Sequence, residues 1–131
     1  SHYNNAHHSD GLDVAEQIIA ERYPEYSAAF TKVCNRTWAH MFNMFVMRRD
    51  LFDQYCEWMF SILGEIENRV DISEYDTYEA RIYGFVSEIL LDVWIEANHI
   101  NYKEQNVSFM EPQNWIKKGG LFLKRKFLGR A

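Results

Sequence analysis

The chain has 131 residues and a mass of 15.7 kDa, room for one domain or part of one. Hydrophobic residues make up 47%, aromatics 16%, and there are only six Gly and two Pro, which excludes collagen-like, linker-like and disordered classes and leaves a chain able to bury a core. Arg48, Arg49, Asp50, Glu57, Glu88 and Asp92 interrupt the apolar stretches, so no run approaches the roughly 20 residues that a bilayer span requires.

The formal charge of -5 is unevenly spread: residues 1–114 carry 8 basic and 19 acidic groups, whereas the last segment carries six basic groups and no acid. Residues 115–131 therefore form a separate electrostatic segment after a body at 1–114. There is no initiator Met and no charged leader before an apolar run, so the chain reads as a piece cut from something larger. Cys34 and Cys56 lack CxxC spacing and sit in apolar helical surroundings, as expected of buried thiols in a reducing compartment.

In chain order, a polar Asn- and His-rich stretch leads to Asp10, which can cap a helix carrying Leu12, Val14, Ile18 and Ile19 to about Arg22. Pro24 suits the first turn of a second helix, where Tyr26, Phe30, Val33 and Cys34 recur at helical spacing until about Asn35. Met41 to Met47 is a short apolar run with aromatics and predicts a buried strand. Asp50 can cap a long third helix with Phe52, Tyr55, Cys56, Met59, Ile62, Leu63 and Ile66 on one stripe. After a polar, aromatic connection at 71–78, a fourth helix is predicted from Asp76 or Thr77 to about Asn98, with Ile82, Phe85, Ile89, Val93 and Trp94 inside. Tyr102 to Phe109 alternates weakly and offers a further strand, and Gly119-Gly120 a joint. The chain is thus expected to be predominantly α-helical with one or two short strands.

Four groups of residues could carry chemistry. His2, His7 and His8 suggest a metal site, but adjacent histidines diverge on most backbones and no second Cys or His cluster answers them; a polar loop is the competing reading. On the fourth helix Glu88 is the only charged residue between Ile82 and Leu91. Arg81 lies seven residues before it, roughly 10 Å along the same strip, with Gly84 between them. A carboxylate there must reach solvent, find a cation or take up a proton, so Glu88 is either an ion-pair member or a general base or hydroxyl anchor. Asp76 and Tyr78, with Asp71 and Tyr75, make an aromatic and acidic loop suited to sugar contact, or a helix cap with packed tyrosines. Finally Lys117, Lys118, Lys124, Arg125, Lys126 and Arg130 alternate with Trp115, Phe122 and Phe127. An acidic body argues against nucleic acid, and an anionic membrane surface fits the tail better; because apolar and basic residues share every side of a helix there, an irregular solvated tail is the competing reading.

Several segments, in order, carry a resemblance: Ala6-His7-His8 followed by Leu12-Asp13; Tyr23-Pro24-Glu25-Tyr26; Asn43-Met44-Phe45 through Leu51-Phe52-Asp53 to Tyr55-Cys56-Glu57-Trp58; and Tyr78-Glu79-Ala80-Arg81 followed by Gly84-Phe85-Val86-Ser87-Glu88. The chain resembles the family called domain of unknown function 4422, found in bacterial capsular and exopolysaccharide gene clusters. The resemblance implies an α/β, GT-A-like glycosyltransferase of which this chain is the C-terminal, acceptor-side half, inactive as a fragment. It further implies a nucleotide-sugar donor, a saccharide acceptor that can be lipid-linked, and a bacterial cytoplasmic location at the inner face of the membrane. His7 and His8 match its paired histidine, with a divalent Mn or Mg ion or a diphosphate as the implied ligand. Asp76 and Arg81 match its Asp-x-Tyr-x-x-Arg pattern and Glu88 its Ser-Glu. Ile89 stands where a basic residue is usual, and Glu79 where Gln or Asn is common. The competing class is a non-enzymatic helical module that binds protein or membrane.

Overall fold

The computed structural model describes residues 9–40, 43–70, 81–108, 110 and 119–120. Four helices carry the first compact unit, Ser1–Asn101: α1 (Ser9–Arg22), α2 (Ser27–Cys34), α3 (Arg49–Arg69) and α4 (Ile82–Ala97). A second unit comprises Tyr102–Ala131, of which 102–108 are irregular and exposed. The expected division between 114 and 115 lies outside the described residues.

The helices follow the apolar spacing, but their starts differ, and of the expected apolar stripes Phe52 is 42% exposed and Phe85 only half-buried. Pro24 opens a single 3-10 turn, Pro24–Tyr26, that runs directly into α2, as its fixed φ and missing N–H allow. α3 begins at Arg49, one residue before the expected cap. Arg48 occupies the capping position in extended backbone without a side-chain cap, while Asp50 sits in the first turn and accepts from the Arg48 guanidinium at 2.5 and 3.0 Å. α4 ends as Asn98 and His99 predict: Asn98 donates through Nδ2 to the Trp94 carbonyl at 2.9 Å, and His99 has φ 51°, a left-handed turn that cannot extend a helix.

α4 is the central element, packed against α1, α2 and α3. Its Ile82, Val86, Ile89, Leu90, Leu91, Val93 and Trp94 meet Ala15, Ile18 and Ile19 of α1, Ala29, Phe30 and Val33 of α2, and Tyr55, Trp58, Met59, Ile62 and Ile66 of α3 in one core. Burial of each large side chain contributes about 1.5–3 kcal/mol, so this core and not helix propensity holds the unit together. At Gly11 α1 lies so close to α4 that an added Cβ would stand 2.4 Å from Ile82 Cγ1. Tyr26 stacks on Trp58 at 4.7 Å, and the Tyr23 hydroxyl is 2.8 Å from Ser61 Oγ.

Among the described residues there is no strand. Of the expected first strand, Met41 to Met47, residues 43–47 are described and none is a strand, with Met44 60% and Val46 104% exposed; Met41 and Phe42 lie outside the described residues. The run has strand composition, but a strand needs a neighbouring edge for its backbone groups, and none stands beside it among the described residues. Residues 102–108 fail as a strand for the same reason. Cys34 and Cys56 are unpaired and half-buried, less enclosed than expected; burial pushes the Cys34 thiol up to about 11.

Candidate functional site

Positions 81, 84, 85, 88, 92 and 96 fall on one side of α4 at about 100° per residue. Three of them, Glu88, Asp92 and Glu96, are carboxylates at successive four-residue steps, close enough to repel one another unless each is compensated. Glu96 receives both Lys32 and Arg36; first the Lys32 ammonium and then the Arg36 guanidinium hold its carboxyl below the ordinary 4.5. Asp92, only 2% exposed, receives the His40 backbone N–H at 2.9 Å and the His40 ring Nδ1 at 2.5 Å. Facing a group that only accepts, Nδ1 carries the proton. Glu88 is the exception: its Oε2 is buried and has no hydrogen-bond partner.

The chain between α2 and α3 is tied to α4 on both sides of Glu88. Asn43, with φ 48°, donates through Nδ2 to Ser87 Oγ at 2.8 Å, and the Ser87 hydroxyl donates to the Gly84 carbonyl at 2.8 Å. Left-handed backbone favours Asn over most residues. His40 holds position 92 and Asn43 holds position 87, so along α4 Glu88 lies between two anchored positions. Beneath this region Tyr55 is 2% exposed with an unpartnered hydroxyl; burial, aided by negative charge at Cys56 and Asp92, pushes its phenol above its usual range.

Arg81 stands at the capping position of α4, exposed, with its guanidinium carbon 5.7 Å from the Phe85 ring centroid. It shares the face with Glu88 as the spacing predicted, but it makes no ion pair with Glu88, because the guanidinium turns over the aromatic face. Gly84 is open, with nothing near its missing Cβ. Asp76, Tyr78, His7 and His8 lie outside the described residues, as do Lys117, Lys118, Lys124, Arg125 and Lys126. Among the described residues no three His, Cys, Asp or Glu side chains converge as a metal set, so a fit to the implied cation rests on His7 and His8.

Sequence reasoning stopped one turn short. It isolated Glu88 but did not follow the four-residue step on to Asp92 and Glu96, and it missed His40 and Asn43 as the partners of Asp92 and Ser87. The step of four was available as a signal. The partners were not, because His40 and Asp92 are 52 residues apart in sequence.

Neither a curated protein nor a solved structure matches this chain. Residues 1–99 match the model of a family described as a domain of unknown function, DUF4422, and the chain belongs to that family.

Proposed function

We propose that this chain supplies the acceptor side of a bacterial glycosyltransferase of surface polysaccharide synthesis, and that Glu88 is its general base. The observation that carries the reading is the buried Glu88 oxygen without a partner. Leaving a buried acceptor unsatisfied costs on the order of 1–3 kcal/mol, which a purely structural residue at that position would not be expected to impose. The reaction class is what the resemblance of the motif order to a family of polysaccharide gene clusters implies.

In the proposed step an acceptor hydroxyl donates its hydrogen bond to Glu88. As its oxygen bonds to the anomeric carbon of the donor sugar, the proton passes to the carboxylate, and the bond from that carbon to the diphosphate oxygen breaks. The nucleoside diphosphate leaves with the electron pair. The chain's own contribution is a carboxylate carried by a helix whose neighbouring positions, Ser87 and Asp92, are bonded to the preceding loop, which limits the movement of the backbone that presents it.

In the complete gene product, Glu88→Gln should keep the melting temperature within a few degrees and lower sugar transfer about a hundredfold or more, the scale of losing a general base. Paired thermal unfolding and transfer assays check this; activity falling only in proportion to the unfolded fraction would return Glu88 to a structural role. A second reading, a non-enzymatic helical binding module, draws on the exposed Met44, Val46 and Phe52. It expects no transfer activity at all, and partner binding that ignores Glu88→Gln.

A further inference from the structure

α3 has a flank that neither of its neighbours uses. One side carries Tyr55, Met59, Ile62 and Ile66 into the core, and another, through Glu65 and Arg69, meets the end of α1. Positions 49, 52, 56, 60, 64 and 67 follow one another at steps of three or four and share the remaining flank, at about 100° per residue. Phe60 is 61% and Phe52 42% exposed there, with the half-buried Cys56 between them. At Gly64 an added Cβ would meet nothing within 4 Å. A single exposed apolar side chain needs no explanation, but two phenylalanines in line, one turn to either side of a thiol and followed by an open glycine, make a continuous apolar stripe. The stripe ends on charge: the Arg49 side chain is 93% exposed at one end, and Glu67 is exposed at the other, with no cation on it among the described residues.

We propose that this flank of α3 is an interface with a second copy of the chain, the two α3 helices lying antiparallel about a two-fold axis at the midpoint of the stripe. Such a dimer stands whether or not the chain transfers sugars. Charge names the occupant and its direction. Arg49 and Glu67 are about 27 Å apart along the helix, and a surface with opposite charges at its two ends is complementary to itself when turned end for end. In that register Arg49 faces the second copy's Glu67, Phe52 the second copy's Gly64 and Phe60 the second copy's Cys56, and each pair occurs twice. The rings thus meet the two positions of the stripe with the least bulk. A parallel pairing would set Arg49 on Arg49 and Glu67 on Glu67, which repel. Within its own helix Arg49 reaches only Asp53, at 3.8 Å and in water, a loose contact that leaves guanidinium donors for a second carboxylate. One helix pair buries less than the roughly 800 Å² per partner of a standard stable complex, so the dimer is weak and reversible.

The test is sedimentation velocity on the full chain between about 10 and about 500 µM, where the mean mass should rise from that of one chain toward that of two. Phe60→Lys, at an exposed site whose change should leave the melting temperature in place, should weaken the association about a hundredfold. Arg49→Glu and Glu67→Arg should each weaken it about tenfold, and the two combined in one chain should bring it back to within about threefold of the parent, since the exchanged charges face one another again. A chain that stays monomeric at the highest concentration, or charge variants that do not restore each other, would overturn the proposal. The complete gene product should associate with the same response to Phe60→Lys; a complete product that remains monomeric would mean that another part of it covers this flank, and would overturn the proposal as well.

Discussion

The two sides of the helical unit handle charge in different ways. Where α1 meets α3, Arg69 bridges Glu21 and Glu65 at 2.7 and 2.9 Å, and Arg22 adds a second contact to Glu65 at 2.9 Å; these groups stand at the surface and every carboxylate has a cation. Where Arg36, His40 and Asn43 meet α4, Asp92 is sealed from solvent on His40 and Glu88 keeps an oxygen without a partner. Water can replace a lost partner on the first side and cannot at Asp92. Polar groups on the second side are therefore costly to disturb, and one left unsatisfied there calls for a ligand in a way that a surface carboxylate does not.

The largest effect expected from this contrast is at His40. His40→Ala keeps the backbone N–H on Asp92 but strands Oδ1, which should cost on the order of 3 kcal/mol and lower the melting temperature by roughly 10 °C or more. Adding Asp92→Leu should recover part of the loss, since an apolar side chain leaves no stranded charge. Calorimetric unfolding of the single and double variants checks both; a shift of only a few degrees for His40→Ala would mean that water reaches Asp92 and that the contrast between the sides is false.

A smaller effect is expected at Gly11, where α1 closes on α4. Gly11→Ala forces a methyl against Ile82 in a packed core and should destabilise by on the order of 1–3 kcal/mol, despite alanine's better helix propensity. Denaturant unfolding measures the sign, and a stabilised variant would show that the two helices have room to separate.

The smallest effect belongs to the exposed side. Hydrogen bonds from Arg69, first among their causes, hold the Glu21 and Glu65 carboxyls below the ordinary 4.5. A folded-state value below the unfolded one contributes stability above the unfolded value and loses it as pH falls through the folded one. Unfolding curves should thus stay level for this contribution above pH 4.5 and drop in more acidic solution. Arg69→Ala should flatten that acid limb, change stability near neutrality less than Gly11→Ala does, and matter less in high salt.

Helix placement was legible because each helix buries a stripe repeated every three or four residues. Ile18 and Ile19, Phe30 and Val33, Ile62 and Ile66, and Ile89 and Val93 were expected in the core and lie there. The run from Met41 to Met47 misled because composition reports suitability for a strand but not whether an edge is present to pair with it. Glu88 stood out in the sequence as a charge among apolar neighbours. Its isolation in space did not, since Arg81 shares its face and yet turns toward Phe85.

By itself the sequence determined four helices, their buried stripes, the breaks at Pro24 and Asn98, and the presence of one suspicious carboxylate, all properties of residues within a turn or two of one another. Only the tertiary structure decided which carboxylates are answered, that Glu96 takes Lys32 and Arg36, that Asp92 takes His40, and that Glu88 keeps a bare oxygen. Those pairings join residues 52 to 64 positions apart. Local periodicity encodes which face of a helix is buried, but the choice of partner is set by how the helices pack.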